Sequence, residues 1–533
     1  MISFFLTIII FLINGISVLR LYQIKDYLYK RVIAQFYFPS SKKILLNKKE
    51  YIIYFLFFLS LFVEKTFTLK IDFLIFLVFI LFILRTDLLK KIHFTPKAVF
   101  ILFSSLFFNF FILYSLNNNL SIFLFLCLWP VQFSVYTLSI KIFNFMIKPY
   151  LEFLGNQAKR KIFKIKQTNP NFKIIGICGS YGKSSTKEIL VQLLSQKYKV
   201  LSPPARINHE YALIKFLLGS KIESYDYLIL EFGSYYLGNI KWISKFLTPE
   251  IAYITGITKQ HLFLFGSVEK IIEGEGLEVL TWMKKGIVLI NNNHEYFEIF
   301  KEKYEKFKPK ELKTYFYGKN YKIKEINLEK EIAIFEFKNQ TFQTNLIFPM
   351  QIENLVAVLS YLSLIEDLKD FEEKIKNIQL PENFLKLRKI YLATSDKYSK
   401  NKIDLIADKN NLVLYIFEDS YNANPKGVYD SLEFFKNLDF NYKVIIFNGL
   451  LELGKETEII YSQIAKKFLS FDKIILTSDD FFQIFKEILN EKIILIQNST
   501  ELEVFLKNLK FKKVGVWIFN KFPSFGFKTP ILK

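Results

Sequence analysis

The sequence predicts an α-helical transmembrane N-terminal region followed by two α/β domains. Hydrophobic residues make up 51% of the 533 residues and 60 residues are Phe, with the apolar excess concentrated before about residue 145. From Asn171 onward, short β-rich runs alternate with helical runs, which is the pattern of a mostly parallel sheet. The first of these strands is predicted at residues 172–178, and a glycine-rich turn follows it. The chain is also too long for one ordinary core, so several domains are expected.

Five transmembrane helices are predicted within residues 1–145. Residues 2–19 form an uncharged apolar run of 18 residues, long enough to cross the hydrocarbon layer. This run lacks a basic leading region and a small-residue cleavage site, so it predicts an anchor and not a removable signal peptide. Residues 51–84 fit a hairpin of two spans, since charged residues interrupt them. Residues 98–116 and 120–140 complete the five.

Charge asymmetry predicts how these spans are oriented. The segment 20–50 contains eight basic residues and the segment 85–97 contains four, whereas the opposite loops contain only Lys65 and Lys70. The positive-inside rule then predicts a multi-pass protein of the inner (cytoplasmic) membrane, with the N-terminus outside and everything after Ile140 cytoplasmic. Residues 146–170 form a basic linker, which either contacts anionic lipid headgroups or is simply solvated.

Composition excludes two broad functional classes. The formal charge of +22 does not predict nucleic-acid binding, because the basic residues lie in short loops or among acidic residues and form no single basic face. The two cysteines, Cys127 and Cys178, support neither a disulfide framework nor a cysteine-based zinc site.

The strongest chemical signal is the glycine-rich turn between the first strand and the helix after it. Gly179 and Gly182 let the backbone bend so that successive N–H groups point at phosphate oxygens, and the helix adds the positive end of its dipole. Lys183 can reach the β- and γ-phosphates and the Ser184 hydroxyl can ligate Mg²⁺. The alternative is a purely structural turn. The predicted nucleotide contacts are Gly179, Ser180, Gly182, Lys183, Ser184 and Ser185.

Residues 176–188 resemble the ATP loop of the Mur ligase family, in particular of its D-alanyl-D-alanine-adding members. Further segments resemble that family's motifs in the same order and together cover about residues 171–470. The most specific is Asp-Ser-Tyr-Asn-Ala-Asn-Pro at 419–425, which follows a predicted strand at 413–417. The remaining segments are 205–210, 230–234, 238–240, 255–267, 353–357 and 449–454.

The resemblance implies a central ATP-binding domain at 171–359 and a Rossmann-like C-terminal domain at 360–533 that closes over ATP. It implies Ser184 and Glu231 on one Mg²⁺, and His261 near a second Mg²⁺ that bridges to the acceptor carboxylate. A buried unpaired carboxylate at Glu231 would be costly, which also favours a metal ligand there. A solitary histidine is otherwise more often a surface or core residue. The resemblance assigns nucleotide contacts to Asn354, Asp419, Tyr421, Asn422 and Asn424, and a substrate contact to Asn208.

Four departures from the family pattern affect the predicted chemistry. Where Mur ligases carry a carbamylated lysine, this sequence has Glu275, which we expect either to supply the negative charge directly or to be a solvated helical residue. Arg388 is the candidate for the family's catalytic arginine, although Leu387 replaces the usual glycine. The family's Lys-Gly-Ser-Arg is reduced at 520–524, and membrane helices are expected in place of its nucleotide-sugar-binding domain.

These observations predict an ATP-dependent amide-bond ligase of peptidoglycan precursor synthesis, with Lys183, His261, Glu275 and Arg388 as its catalytic residues. The expected cofactors are ATP and Mg²⁺. The expected partners are a peptidoglycan precursor, an amino acid or dipeptide, and membrane lipid, with a lipid-linked carboxylate as one hypothesis. The alternative is a membrane-anchored, non-catalytic scaffold that keeps the fold and binds nucleotide. The sequence does not identify the protein partners.

Overall fold

The computed structural model describes residues 95–115, 129–392, 412–419, 423–450 and 452–520. Two compact units divide the chain, the first ending at Phe153 and the second beginning at Leu154. The first unit contains helix α1 (Pro96–Ser115) and the start of helix α2 (Trp129–Thr168). Within that unit the two helices are in contact, since the Lys97 ammonium donates a hydrogen bond of 3.1 Å to Asn144 Oδ1.

The predicted membrane localisation is wrong for the part of the chain that the structure describes. Among these residues, no helix combines the length and the apolar character needed to cross a membrane. The predicted span at 98–116 corresponds to α1, and the one at 120–140 only partly to α2. The predicted spans at 2–19 and 51–84 lie outside the described residues. The predicted topology, with the N-terminus outside and the C-terminal part cytoplasmic, depends on these spans and is not supported by the described residues.

The segment predicted as a basic linker is helical up to Thr168, and its part from Leu154 onward belongs to the second unit. Ala158, Ile162 and Ile165 recur at spacings of three to four residues and are buried in the core, which explains why the helix continues to Thr168. Its basic residues face neighbouring polar groups. Lys161 Nζ donates a hydrogen bond of 3.1 Å to the carbonyl of Leu217, and Lys166 pairs with Glu250.

The middle part of the chain forms a six-stranded parallel sheet in the order β2-β3-β1-β4-β5-β6. Its three central strands, at residues 173–178, 227–231 and 251–254, are almost continuously apolar, as expected for a sheet that is covered on both faces. One buried cluster contains Ile174 and Leu230, and a second contains Ile175 and Ile229, from alternate positions of the same strands. The strands are β1 (Lys173–Cys178), β2 (Val200–Leu201), β3 (Tyr227–Glu231), β4 (Ile251–Ile254), β5 (Lys285–Asn291) and β6 (Glu311–Tyr317).

Helices connect these strands and cover the sheet. They are α3 (Lys183–Leu194), α4 (Glu210–Gly219), α5 (Asn239–Ser244), α6 (Leu262–Phe265), α7 (Val268–Ile271) and α8 (Phe297–Phe307). After α7 the chain forms a π-helical turn at Ile272–Leu277 and a 3₁₀ turn at Glu278–Leu280. Such π-helical turns are rare and often occur at functional sites.

A small antiparallel sheet and a long helix follow the parallel sheet. The small sheet contains β7 (Tyr321–Asn327), β8 (Ile332–Phe337) and β9 (Gln340–Thr344) in that order. Helix α9 (Pro349–Leu362) packs against α3, so the domain boundary predicted at 359/360 falls inside a helix of the middle domain. A 3₁₀ turn (Leu368–Phe371) and α10 (Glu372–Lys376) precede the next strand.

The C-terminal part forms a second six-stranded sheet in the order β10-β11-β15-β12-β13-β14. Only β10 is antiparallel to its neighbour, and the other described pairings are parallel. The short apolar runs at 414–417, 443–447, 473–477, 492–496 and 514–519, which predict strands in the sequence, each coincide with a strand of this sheet. The elements are β10 (Lys386–Leu392), β11 (Leu412–Asp419), α11 (Pro425–Lys436), β12 (Tyr442–Phe447), the 3₁₀ turn Gly454–Glu456, α12 (Thr457–Phe468), β13 (Lys473–Leu476), α13 (Phe482–Leu489), the 3₁₀ turn Asn490–Lys492, β14 (Ile493–Leu495), α14 (Ser499–Lys507) and β15 (Lys513–Phe519).

The C-terminal core depends on stacked aromatic rings. Phe417 of β11 and Trp517 of β15 are fully buried, with ring centroids 4.9 Å apart and planes only 4° apart. We predict that Phe417→Ala lowers the free energy of unfolding by about 3–5 kcal/mol, because it removes a buried ring and leaves a cavity. Urea unfolding followed by tryptophan fluorescence measures this change. Ile459→Ala, at a position 59% exposed, serves as the control and should change stability by less than about 0.5 kcal/mol.

Candidate functional site

The glycine turn lies between β1 and α3, at the carboxyl end of the parallel sheet. Gly179 and Gly182 have φ values of 126° and 79°, a region that favours glycine. A Cβ at residue 179 would lie 2.5 Å from Thr255 Oγ1, so this position has no room for a side chain. The Ser180 N–H donates a hydrogen bond of 2.7 Å to the carbonyl of Gly256. The turn is therefore held against the loop that follows β4.

Positive charge converges on this turn. Lys183 is the first residue of α3, and its ammonium donates hydrogen bonds to the carbonyls of Gly179 and Ser180, the latter at 3.3 Å. Ser184 and Ser185 occupy the same first helical turn, where unpaired N–H groups and the helix dipole favour an anion. The predicted phosphate-binding residues are thus brought together by one strand–turn–helix unit.

A carboxylate from the neighbouring strand reaches the start of α3. Ser184 Oγ donates a hydrogen bond of 2.9 Å to Glu231 Oε2, and Asn208 Nδ2 donates one of 3.2 Å to Glu231 Oε1. Glu231 ends β3 and is only 5% exposed. The structure therefore brings Ser184, Glu231 and Asn208 together. Oxygen ligands such as the Ser184 hydroxyl and the Glu231 carboxylate suit a hard divalent cation.

Glu275 faces the same turn from the opposite side. It lies in the π-helical turn after α7, is 3% exposed and accepts a hydrogen bond from Ser180 Oγ. Burial raises the pKa of the Glu275 carboxyl, and the nearby His261 and Lys183 oppose this rise. The prediction that Glu275 is a solvated helical residue is therefore wrong. The carboxylate points into the site that contains Lys183.

His261 lies beside this cluster and contacts the C-terminal domain. It precedes α6 with a left-handed backbone, φ 60°, and the edge of its ring meets Tyr235 at a centroid distance of 5.1 Å. Its Nδ1 atom forms a hydrogen bond with Glu452 Oε2. Glu452 was not identified from the sequence as a site residue. It lies in the loop after β12, within the segment 449–454 that resembles a family motif, and this resemblance could have identified it.

The remaining middle-domain residue, Asn354, also borders the turn. Thr186 Oγ1 donates a hydrogen bond of 3.4 Å to Asn354 Oδ1, and this oxygen would lie 2.7 Å from a Cβ at residue 182. The neighbouring Glu353 accepts hydrogen bonds of 2.6 and 2.7 Å from Asn291 and Asn293. Asn291 is the last residue of β5 and Asn293 follows the strand, and neither was identified from the sequence.

Two of the C-terminal candidates lie at the end of β11 and the start of α11. Asp419 is the last residue of β11, and burial raises the pKa of its carboxyl to about 6. Asn424 caps α11, since its Oδ1 accepts a hydrogen bond of 3.0 Å from the Gly427 N–H. The other two candidates of this motif, Tyr421 and Asn422, lie outside the described residues.

Arg388 occupies a different environment from the other candidates. It lies on the antiparallel edge strand β10, is 40% exposed at its side chain and forms an ion pair of 3.2 Å with Glu418. Among the described residues, no hydrogen bond or ion pair joins Arg388 to the glycine turn. Its catalytic role stays a prediction.

A preformed metal cage is not part of the described structure. Among the described residues, no group of three or more His, Cys, Asp or Glu side chains could hold a metal ion. The Ser184–Glu231 pair nevertheless fits Mg²⁺, which proteins commonly bind through one or two carboxylates together with substrate phosphates.

Comparison with known proteins agrees with this architecture. Residues 177–362 match the Mur ligase middle domain. The UDP-N-acetylmuramoyl-tripeptide–D-alanyl-D-alanine ligases of Borreliella burgdorferi and Buchnera aphidicola are 25% and 28% identical to the chain. The alignments cover 65% and 67% of this chain and 71% and 73% of those enzymes.

Two solved structures share the fold. Acinetobacter baumannii MurF superposes with a TM-score of 0.56 at 17% identity, over 69% of this chain and 77% of that one. Thermotoga maritima MurF in complex with ADP gives 0.54 at 22% identity, over 69% and 80%.

We predict that Gly179→Ala abolishes measurable Mg-ATP binding. The added methyl group would meet Thr255 Oγ1 at 2.5 Å and the Gly256 backbone at 3.0 Å, and residue 179 would keep a backbone angle that alanine disfavours. Isothermal titration calorimetry of the full chain measures the affinity. Gly219→Ala is the matched control, because a Cβ there meets nothing within 4 Å. Unchanged affinity in Gly179→Ala would contradict the assignment of this turn.

Proposed function

We propose that this chain, a Mur ligase by its middle domain and its MurF relatives, is an ATP-dependent carbon–nitrogen ligase that acts on a peptidoglycan precursor. The observation that carries the proposal is the convergence of Lys183, Glu231, Glu275 and His261 on one glycine turn. A purely structural turn would not need three ionisable groups of the middle domain, two of them buried carboxylates, beside one lysine.

The reaction explains why these groups are needed together. A carboxylate oxygen is a poor leaving group, so direct attack by an amine is slow and uphill at neutral pH. Transfer of the γ-phosphoryl group from ATP to the carboxylate gives an acyl phosphate and ADP. The amine then forms the amide bond, phosphate leaves, and the amine loses a proton. The protein must neutralise crowded negative charge and align three reactants.

The residues around the turn divide this work. The Lys183 ammonium, which now satisfies the Gly179 and Ser180 carbonyls, is free to exchange these contacts for phosphate oxygens. The first N–H groups of α3 add further donors to the same anion. Ser184 and Glu231 would hold Mg²⁺, with Asn208 fixing the second carboxylate oxygen. When bound, Mg²⁺ supplies neutralisation of the phosphate charge.

His261 and Glu275 face the acceptor side in this proposal. The family resemblance assigns His261 to a second Mg²⁺ near the acceptor carboxylate. Glu275 takes the position of the carbamylated lysine and supplies a negative charge without CO₂. What supports this is its burial, its hydrogen bond from Ser180 and its electrostatic interaction with His261. A merely structural carboxylate would not require a position among Lys183 and His261.

The C-terminal domain supplies the other nucleotide contacts. Asp419 and Asn424, with Tyr421 and Asn422, are proposed to contact ATP, and Arg388 is proposed to reach the site when the domain closes. Support comes from the place of Asp419 and Asn424 at the carboxyl end of the second parallel sheet, where ligands of such sheets bind.

The proposed substrates follow the names of the relatives. Those enzymes are named for a UDP-N-acetylmuramoyl tripeptide and D-alanyl-D-alanine, so we propose a muramoyl-peptide carboxylate and an amino acid or dipeptide amine here. The hypothesis of a lipid-linked acceptor rested on the predicted membrane spans. Among the described residues, no helix could form such a span. We therefore favour a UDP-linked acceptor.

We predict that Lys183→Ala lowers substrate-dependent ADP release by about 100-fold or more, because one donor to developing negative charge is lost. A coupled assay with UDP-muramoyl-tripeptide and D-alanyl-D-alanine measures the rate. Lys215→Ala removes an exposed lysine from α4 and should leave it unchanged. Mg-ATP binding by the wild type without turnover on the UDP-linked or the lipid-linked acceptor would favour the non-catalytic scaffold. Faster turnover on the lipid-linked form would reverse our choice of carrier.

We predict that the activity of the wild type is indifferent to bicarbonate, because Glu275 already carries a carboxylate. Glu275→Ala and Glu275→Gln should lose activity by about 100-fold or more, since both remove a charge from the site. Added bicarbonate should restore neither variant. The measurement is ADP release in buffer freed of CO₂, with and without added bicarbonate. A wild-type rate that rises with bicarbonate would show that a lysine elsewhere is carbamylated and that Glu275 does not replace it.

A further inference from the structure

A short segment of the C-terminal domain docks on the loop that carries His261. The Phe263 N–H donates a hydrogen bond of 3.1 Å to the Glu452 carbonyl, and Lys259 Nζ lies 2.7 Å from Glu456 Oε2. A Cβ at Gly454 would lie 2.7 Å from the Phe263 ring, so backbone and ring are closely packed. Backbone, side-chain and packing contacts therefore join residues 259–263 to residues 452–456.

Glu452 occupies a costly position in this contact. It is 5% exposed, and its φ of 65° lies in the left-handed region that a residue with a Cβ rarely adopts. A buried carboxylate and a strained backbone are each unfavourable unless a specific interaction compensates for them. The hydrogen bond between Glu452 Oε2 and His261 Nδ1 is such an interaction.

This hydrogen bond determines which nitrogen of His261 faces the site. An ionised carboxylate only accepts hydrogen bonds, so Nδ1 carries the hydrogen. In the neutral ring Nε2 then presents its lone pair, as it does when a carboxylate orients a metal-binding or proton-accepting histidine. Tyr235, whose ring meets His261 edge-on at 68°, restricts rotation of the imidazole from a second side.

We propose that Glu452 is a positioning residue that orients His261 from the C-terminal domain, so that the imidazole is correctly set only when the two domains are docked. The pairing joins residues that are 191 positions apart and lie in loops that follow strands of two different sheets. Its kinetic consequence rests on the proposed ligase function. The orientation and the tautomer of His261 do not depend on that function.

The activity-independent test is the tautomer of His261 in the full chain. The chain has four histidines, so ¹⁵N-labelled histidine gives a small set of long-range ¹H–¹⁵N signals, and His261→Ala assigns one of them. Spectra are recorded near pH 8.5, above the ordinary histidine pKa of about 6.5. We expect the Nδ1–H tautomer in the wild type and its loss in Glu452→Ala. Glu452→Gln should retain it, because the amide oxygen still accepts from Nδ1.

The kinetic test separates orientation from binding. Glu452→Ala should lower kcat by about 10–100-fold, the usual effect of removing the partner of a ligating histidine, and leave KM for ATP within about three-fold. Glu452→Gln should recover most of this loss. His261→Ala combined with Glu452→Ala should be no slower than His261→Ala alone. Glu458→Gln, which alters an exposed carboxylate of α12 outside this contact, is the matched control and should match the wild type.

The outcomes are distinguishable. An unchanged His261 tautomer in Glu452→Ala, or wild-type kcat in that variant, would overturn the proposal. A full additional loss in the double variant would do so as well. Absence of substrate-dependent ADP release in the wild type would instead reject the ligase function, and the tautomer experiment would still decide whether Glu452 orients His261. Thermal unfolding of Glu452→Gln confirms that the comparison is made on folded protein.

Discussion

The site depends on the burial of three carboxylates around one lysine-bearing turn. Glu231, Glu275 and Glu452 are each at most 5% exposed, and an isolated buried carboxylate would be strongly unfavourable. Each is compensated differently: Glu231 by hydroxyl and amide donors, Glu275 by a serine and nearby positive charge, and Glu452 by an imidazole. A protein that needed only a stable core would place apolar side chains at these positions, so the compensated charges indicate a site built to hold cations and anions together.

The two sheets explain why these charges can meet. Parallel strands present their carboxyl ends at one edge, so the turn after β1 and Glu231 at the end of β3 become neighbours, since these strands pair directly. The loop after β4 adds His261, and the π-helical turn adds Glu275 from behind Ser180. The C-terminal sheet then contributes Glu452 from the loop after β12. Four segments of the chain therefore surround the glycine turn.

Local chemistry was readable from the sequence, whereas long-range pairing was not. Lys183, Ser184 and the two glycines could be identified because a phosphate loop is built from consecutive residues. The strands after residue 412 could be predicted from short apolar runs. Nothing in the sequence around Glu452 or His261 indicates that these two residues contact each other. The burial of Glu275 depends on a π-helical turn that no spacing rule predicts. The membrane prediction failed for a related reason. Hydropathy counts apolar side chains without their partners, and Ile101 and Ile140 are buried within the first unit.

Domain docking and chemistry are linked by the difference between Lys183 and His261. The lysine is hydrogen-bonded to the Gly179 and Ser180 carbonyls of its own turn, so its position does not depend on the C-terminal domain. The imidazole is hydrogen-bonded to a carboxylate of the other domain. Under the proposed function, the turn would therefore contact the phosphates of ATP before the acceptor side is organised, and phosphoryl transfer would begin only after docking completes that side. Such an order would protect ATP from water, because the imidazole that faces the acceptor is oriented only once the contact with Glu452 has formed.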